Sequence, residues 1–549
     1  MGRIAPDRTP ALGYDRGVRF GLLEVRMRRI LGAMVFLAAL RAASAATRAP
    51  IEEATIADLQ ARMQSGALTA RALTEAYLAR IRKLDPLLRS VIVVNPDAPA
   101  IASALDRERH EKGPRGPLHG VPILVKDNIA TGDAMPTTAG SLALAGITAP
   151  KDSKVIANLR AAGAVILGKT NLSEWANIRS THSSSGWSAV LGQTANPYAL
   201  DRNPCGSSSG TGAAIAASFA AAGVGTETDG SVVCPSSHQA LVGIKPTVGL
   251  VSRAGIVPIS HSQDTAGPMA RTVADAVALL TAMAGPDPAD PATKDALIGD
   301  YASAIKADGL AGMRIGIARA KFFGVSPASD RVAEEAIRVL AARGATIVDP
   351  ADIPNLGKYD DAELEVLLTE FKADLPAYLR EWAPAAPVKT LDDLIAFNRA
   401  NAAKEMPFFA QELFEQAATK GDLSSPAYTA ALDTCKTMAR LKGLEAVLAE
   451  NRLDAVLAPT GGPPWLTDPV TGDHFGMSSS SPAAVAGLPA ITVPAGAERG
   501  LPIGVTFMGP AWSEAKLIRI AYAFEQATHA RKPPRFLKTA ELDRGPAKP

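Results

Sequence analysis

The chain has 549 residues, enough for one large or several smaller domains, and its 47% hydrophobic and 20% charged residues are typical of a globular protein rather than a disordered one. Its 57 basic and 55 acidic side chains leave a formal charge of only +2, so no net field would attract phosphate backbones or anionic lipid. Nucleic acid is therefore not expected as a partner.

The N-terminal segment has the pattern of a signal peptide at residues 27–46. A basic start precedes an apolar run at 30–40, and the small residues at 43–46 offer a cleavage site. The run is far shorter than the roughly 20 residues that span a bilayer, so no stable membrane insertion is expected after cleavage. Residues 1–26 have no place in such a signal, which favours a true start at Met27. We expect an exported, periplasmic or secreted protein; a buried N-terminal helix in a cytoplasmic protein is the alternative.

Helix and strand patterns alternate along most of the remaining chain. Thr55 caps a first short helix and Thr69 a second one, which the pair Asp85-Pro86 is expected to end. Strands are then predicted at 91–94, 121–125, 165–167, 313–318 and 345–348, and helices near 155–162 and 332–342. This order favours an α/β fold in which helices cover both faces of a sheet.

The C-terminal part of the chain contains a helical region and then returns to the sheet. Residues from about 351 to 450 are nearly all helical in pattern. Strands are predicted at 455–458, 491–493 and 503–507, before an amphipathic helix over 514–526.

The cysteines and histidines indicate no metal. Cys205, Cys234 and Cys435 are too few and too scattered for a disulfide scaffold or a four-ligand zinc site, and at least one thiol stays unpaired in a monomer. The seven histidines show no metal-ligand spacing such as H-E-x-x-H. We therefore expect a site without metal, whose chemistry does not depend on the cysteines.

The stretch 206–212, Gly-Ser-Ser-Ser-Gly-Thr-Gly, precedes an Ala-rich run and predicts a loop that opens a helix packed on a sheet. Its backbone N–H groups can face a negative charge. Ala213 stands where a phosphate loop has its lysine, which argues against nucleotide binding. The stretch also matches G-x-S-x-G around Ser208, with His474 available as a base, although 196–205 makes a poor preceding strand. An α/β-hydrolase-like esterase using Ser208 stays open as an alternative.

A second turn of small residues, at 224–231, ends in a serine. Ser231 follows Gly230 and can have successive N–H groups beside it, as the oxyanion of acyl transfer requires. Serine is a weak nucleophile and needs a base. Three lysines that follow apolar strands are candidates: Lys126, Lys169 and Lys245. A lysine at a strand end usually reaches solvent, and physical reasoning alone does not choose among the three.

Two long motifs stand out in the centre of the chain. Residues 206–235 contain G-S-S-S-G-T-G and G-T-E-T-D-G-S-V-V-C-P, and 120–128 read G-V-P-I-L-V-K-D-N. The first resembles the amidase signature, with Ser207 and Ser231 at the spacing which that family uses, and the second resembles the lysine motif of the same family. Further matches extend the resemblance to the amidase signature family over roughly residues 55–530.

The resemblance implies the amidase signature fold, one large mixed β-sheet covered by helices on both faces. Residues 47–549 would form a single domain of this kind, with the helical insertion at about 351–450. Cys205 departs from the small residue of many family members and is expected to alter only the packing of its loop.

The resemblance also implies a catalytic set. Lys126, Ser207 and Ser231 would form a triad, with a cis peptide before Ser207. The oxyanion hole would consist of the backbone N–H groups of Thr228, Asp229, Gly230 and Ser231. A neutral Lys126 would take a proton from Ser207, which takes one from Ser231 as it attacks the amide carbon, giving an acyl-enzyme and ammonia. This requires a lysine pKa depressed by about 2–3 units, which burial can supply, and no cofactor is expected.

The expected substrate rests on residues 228–235 and parts of 249–271, which are similar to bacterial peptide amidases that remove C-terminal amides. A peptide's C-terminal amide is the leading substrate, taken by a monomer or homodimer. A broad-specificity aliphatic or aryl amidase, or a fatty-acid amidase, is an alternative, with substrate choice expected in the helical insertion. The A-type component of a tRNA amidotransferase shares the signature, but the export signal and balanced charge argue against it.

Overall fold

The computed structural model describes residues 51–542 together with the first two residues of the chain. The predicted signal peptide at 27–46 lies outside the described residues. The described residues 51–542 belong to one compact unit. Among the helices of the described residues, none is both long and apolar enough to cross a membrane.

A large mixed sheet runs through the described part of the chain. The strands are β1 Val91–Val94, β2 Pro122–Lys126, β3 Val165–Thr170, β4 Trp187–Ser188, β5 Gly192–Gln193, β6 Ala222–Glu227, β7 Val242–Lys245, β8 Thr265–Ala270, β9 Arg314–Ile317, β10 Thr346–Val348, β11 Ala455–Pro459, β12 Ala490–Glu498 and β13 Leu501–Met508. Eleven of them form one sheet in the order β1-β3-β2-β6-β8-β7-β12-β13-β11-β9-β10, and β4 pairs with β5. β2 is parallel to β3 and β6, whereas β8 is antiparallel to β6 and β7.

Helices pack against this sheet and fill the region between β10 and β11. Their bounds are Ile56–Gln64, Ala70–Leu88, Ala98–Lys112, Lys154–Ala161, Ser209–Ala216, Val233–His238, Val273–Met283, Pro327–Ala342, Asp360–Trp382, Leu391–Ala400, Ala402–Glu405, Glu412–Ala418, Pro426–Thr434, Glu445–Glu450, Ser481–Val485 and Glu514–Thr528, with a π-helical segment at Cys435–Leu444. The one large mixed sheet with its helices confirms the predicted α/β architecture, and the region from 351 to 450 is helical as expected.

The first two helices begin where the sequence predicts and the second ends later. Thr55 and Thr69 both accept a backbone N–H with their side chains at the helix starts. The prediction that Asp85-Pro86 ends the second helix is wrong, because the helix continues to Leu88. Proline removes only one backbone donor, and the Asp85 carboxylate accepts the N–H of Ser90 at 2.8 Å, which ties the last turn to the chain that follows.

Two strands beside the site were missed because their residues are small. β6 covers 222–227, where the sequence suggested the end of a helix and the start of a turn, and β8 was not predicted. A Cβ added at Gly223 of β6 would lie 2.8 Å from the Thr211 side chain and 3.0 Å from that of Ile215. Glycine therefore lets the helix Ser209–Ala216 lie directly on the sheet, although glycine has low strand propensity.

Candidate active site

Lys126 is the last residue of β2, which lies between β3 and β6 in the sheet. Its side chain is fully buried. The ammonium nitrogen Nζ lies 2.7 Å from Ser207 Oγ, 2.9 Å from Thr226 Oγ1 and 3.3 Å from the Thr226 carbonyl oxygen. Burial lowers the pKa of Lys126 to about 7, against the opposing effect of the Asp264 and Glu227 carboxylates. The lysine can therefore be neutral near neutral pH while in contact with a serine hydroxyl.

Ser207 connects Lys126 to Ser231. It follows the cis peptide Gly206–Ser207 and stands just before the helix Ser209–Ala216. Ser207 Oγ lies 2.9 Å from Ser231 Oγ, so Lys126, Ser207 and Ser231 form one continuous hydrogen-bonded chain. A Cβ at Gly206 would collide with the hydroxyl of Ser173, which explains the glycine before this serine.

Ser231 is the most exposed member of this hydrogen-bonded chain. It is 8% exposed, whereas Lys126 and Ser207 are 0% exposed. Gly230 has φ +80°, a conformation that favours glycine, and brings the chain into a tight turn before the helix Val233–His238.

The predicted oxyanion hole has backbone donors to offer. Within residues 51–542, the N–H groups of Thr228, Asp229, Gly230 and Ser231 donate to no acceptor. Glu227 holds the turn in place, because its carboxylate accepts hydrogen bonds from the N–H groups of Val232 and Val233 at 2.7 and 2.9 Å. Fixed, unpaired N–H groups beside a serine hydroxyl suit the stabilisation of an oxyanion.

The other two candidate lysines are buried in different surroundings. Lys169 Nζ donates to the Thr137 hydroxyl and lies 3.6 Å from Asp127 Oδ1, and Lys245 Nζ donates to the Pro246 carbonyl at 3.0 Å. Burial lowers the pKa of each to about 8. The general expectation that a lysine at a strand end reaches solvent is wrong for all three, because these strands lie inside the sheet and their ends are covered. Of these three lysines, only Lys126 contacts Ser207 or Ser231.

Comparison with known proteins places the chain in a family. The family model described as Amidase matches residues 72–518. The chain belongs to the amidase family. It is 44% identical over 499 residues to the Arabidopsis thaliana protein named “Probable amidase At4g34880”, covering 89% of this chain and 92% of that protein. It is also 34% identical over 499 residues to the A-type component of the glutamyl-tRNA(Gln) amidotransferase of Halorhodospira halophila, with 88% of this chain and 99% of that protein covered.

The fold agrees with that of a solved amidase structure. The native peptide amidase from Stenotrophomonas maltophilia superimposes with a TM-score of 0.84 at 51% sequence identity, covering 89% of this chain and 99% of that one. The predicted resemblance is confirmed, and the chain is an amide hydrolase of the amidase signature type.

The structure does not bring together the residues of the esterase alternative. The Ser208 hydroxyl donates to the Thr226 carbonyl at 3.1 Å and accepts the Thr226 N–H at 3.2 Å, inside the protein. His474 is exposed and its Nε2 lies 3.1 Å from Asp468 Oδ2. Ser208 therefore has no histidine base in this amidase.

Sequence reasoning missed two polar neighbours of the lysine. Thr226 Oγ1 accepts from Lys126 Nζ at 2.9 Å and from Asn128 Nδ2 at 2.9 Å, so it connects these two side chains. Asn128 stands in the lysine motif, but the motif alone assigns it no role. A polar residue inside the small-residue strand β6 was the one available signal for Thr226.

A disulfide bond between Cys205 and Cys234 was also missed. The two Cα atoms lie 6.0 Å apart, and Cys435 is a free, buried thiol. The expectation that Cys205 alters only loop packing is incomplete, because its sulfur is bonded to the helix that follows Ser231. Pairing could not be read from the sequence, since a separation of 29 residues does not say whether two Cβ atoms face each other.

Proposed function

We propose that this amidase hydrolyses the C-terminal amides of peptides, with Ser231 as nucleophile and Lys126, acting through Ser207, as base. The observation that carries the catalytic part is the continuous chain of contacts from Lys126 Nζ through Ser207 Oγ to Ser231 Oγ. The buried end of this chain of contacts is Lys126, whose pKa is lowered to about 7. Its other end, Ser231, lies in the turn at 228–231, whose backbone N–H groups donate to no acceptor among the described residues.

In the proposed mechanism, the reaction begins with neutral Lys126. Ser231 Oγ attacks the carboxamide carbon while its proton passes to Ser207 Oγ, whose own proton passes to Lys126 Nζ. The N–H groups of the turn at 228–231 donate to the developing oxyanion. As the tetrahedral intermediate collapses, the proton returns by the same route to the leaving nitrogen, and ammonia departs. Water then hydrolyses the acyl-enzyme by the same relay.

The choice of a peptide amide rests on similarity to a peptide amidase. The Stenotrophomonas maltophilia protein shares 51% of its residues with this chain along nearly its whole length. The amidotransferase component shares 34%, and no observation favours that function over hydrolysis. Aliphatic, aryl and fatty amides remain the alternatives that an experiment has to separate.

A substrate panel tests this proposal. The purified enzyme is incubated with a peptide amide, the same peptide as its methyl amide, an aryl amide and a fatty-acyl amide, and the products are identified by mass spectrometry. We expect conversion of the peptide carboxamide to the free acid, with internal peptide bonds intact. Faster turnover of the fatty or aryl amide would overturn the substrate assignment.

We also propose that the protein is exported, on the strength of the pattern at 27–46. N-terminal sequencing of the protein from periplasmic and culture-medium fractions checks this. A mature chain that begins after the small residues at 43–46 is the expected result, and an uncleaved chain confined to the cytoplasm would contradict it.

A further inference from the structure

The disulfide between Cys205 and Cys234 joins the two loops that present the serines. Cys205 lies two residues before Ser207, and Cys234 lies three residues after Ser231. Both half-cystines are buried, with exposures of 2% and 4%. We propose that this disulfide is a positioning device for the serine relay, so that turnover by the amidase depends on the redox state of Cys205 and Cys234.

Hydrogen bonds also connect these loops, among them the contact of Ser207 Oγ with Ser231 Oγ and those of the Ser208 hydroxyl with the Thr226 backbone. The Ser208 N–H donates to the Ser231 carbonyl at 3.2 Å, and the Gln239 side-chain amide donates to the Pro204 carbonyl at 3.2 Å. Both distances lie at the upper end of the normal range for such bonds. Proton transfer from Ser231 to Ser207 requires their oxygens to stay at hydrogen-bond distance, and a displacement of about 1 Å can cost on the order of a hundredfold in rate. A covalent bond across the two loops restricts that displacement.

The backbone at Cys205 supports this role independently. Cys205 has φ +56°, in the left-handed region where a side chain is unfavourable and glycine is preferred. Backbone energetics alone would therefore select glycine at this position. A cysteine here is explained by what its sulfur does, and its sulfur is bonded to Cys234.

A metal site is the alternative to a disulfide at these two cysteines. The sulfurs of Cys205 and Cys234 and a ring nitrogen of His238 lie within 4.8 Å of one another. His238 Nδ1 is buried and has no hydrogen-bond partner, and burial lowers the pKa of this histidine to about 4, so the ring is neutral. Two thiolates and a neutral imidazole would be metal ligands. The structure favours the disulfide, whose sulfurs are not thiolates.

A dithiol reduces this disulfide, and oxidised glutathione forms it again. A dithiol such as dithiothreitol breaks the S–S bond and converts Cys205 and Cys234 to thiols, while the reagent becomes its own cyclic disulfide. Oxidised glutathione reverses the change, giving back the protein disulfide and two molecules of glutathione.

The test compares oxidised and reduced enzyme on a peptide amide, with thiols counted by alkylation and mass spectrometry. On reduction we expect kcat to fall by about ten- to a hundredfold while KM changes by less than about threefold, with recovery on reoxidation. Cys205→Gly with Cys234→Ala should show the same loss, since glycine relieves the backbone but restores no link. Cys435→Ser is the matched control and should keep both full activity and sensitivity to dithiol.

Several results would overturn the inference. Unchanged kcat in enzyme with both thiols shown to be reduced is one, and full activity of the Cys205→Gly, Cys234→Ala variant is another. Three free thiols and one zinc ion per chain in enzyme as purified would assign the cluster to a metal site instead. Circular dichroism and the unfolding temperature, measured on each form, separate loss of positioning from loss of fold.

This inference rests on the proposed function, so a readout independent of the substrate is included. The rate at which a fluorophosphonate labels Ser231 should fall on reduction, because labelling needs the same relay. If the oxidised enzyme labels rapidly and the rate falls on reduction, but no peptide amide is turned over, the substrate proposal fails and the disulfide inference stands. Equal labelling rates of oxidised and reduced enzyme would contradict the disulfide inference and leave the proposed function unaffected.

Discussion

Lys126 and Lys169 end or nearly end two neighbouring parallel strands, β2 and β3, and both side chains are excluded from solvent. Their partners differ. Lys126 contacts the hydroxyls of Ser207 and Thr226, whereas Lys169 lies beside the carboxylate of Asp127. Burial lowers both pKa values, but the Asp127 charge opposes it at Lys169, which has a pKa of about 8 against about 7 for Lys126.

The comparison shows that burial alone does not make a lysine a base. A lysine that faces a carboxylate is stabilised as a cation and serves as one half of an ion pair. A lysine that faces hydroxyl and carbonyl oxygens has no counter-charge in contact, so its neutral form is accessible and its lone pair can take a proton from a serine. Substitutions at the two lysines and at their neighbours should therefore have different effects.

The largest expected effect follows from replacing the lysine in contact with Ser207. Lys126→Met keeps the length and apolar character of the side chain but removes the base. We expect kcat/KM for a peptide amide to fall by about 10³- to 10⁴-fold. Steady-state kinetics of the purified variant checks this, with circular dichroism as the control for folding. A loss of less than tenfold would mean that Lys126 is not the base.

The pH dependence of the wild-type enzyme should report the same lysine. The proposed mechanism needs neutral Lys126, and burial lowers its pKa to about 7, so we expect activity to be low below that pH and level above it. We expect kcat/KM to rise about tenfold per pH unit on the acid side and to bend near pH 7. An acid limb bending near pH 4 or 5 would point to a carboxylate base instead.

A smaller loss of activity is expected from replacing Thr226, whose hydroxyl contacts Lys126. Thr226→Val removes the hydroxyl that accepts from Lys126 and Asn128, at similar volume. We expect kcat to fall about tenfold, the cost of one lost hydrogen bond to a charged group. The ammonium form loses an acceptor, so the bend in the pH profile should move to lower pH. A profile displaced to higher pH would contradict this account of Thr226.

The matched change at Lys169 should affect stability more than catalysis. Lys169→Met leaves Asp127 buried without its cation, and we expect the free energy of unfolding to fall by about 3 kcal/mol. The kcat/KM of the folded fraction should stay within about tenfold of wild type. Denaturant unfolding and kinetics on the same sample test both parts. A variant that is stable but inactive would reverse the roles assigned to the two lysines.

The sequence predicted the sheet class, the helical region and the three side chains that lie in contact, Lys126, Ser207 and Ser231, but on unequal grounds. Long apolar runs such as those of β2 and β3 are visible in the residues. β6 and β8 are rich in small residues, β8 also contains a proline, and both form strands because of packing that no local propensity reveals. The preference for Lys126 over Lys169 came from resemblance to the family, and its physical reason, the partner each lysine meets, exists only in three dimensions.

The smallest effect is expected from replacing His474, the candidate base of the esterase alternative. His474 pairs with Asp468 at the surface and does not contact Ser208. His474→Ala should therefore leave kcat/KM within about twofold of wild type, as for most surface substitutions. A hundredfold loss would reopen the assignment of the nucleophile to Ser208.

The relay is tested most directly by mapping which serine reacts with a fluorophosphonate, and how fast, as pH is varied. We expect the label on Ser231, at a rate that rises through about pH 7, is lost in Lys126→Met and is retained in Lys169→Met. A label on Ser208, or a rate that is the same in Lys126→Met as in the wild-type enzyme, would contradict the account.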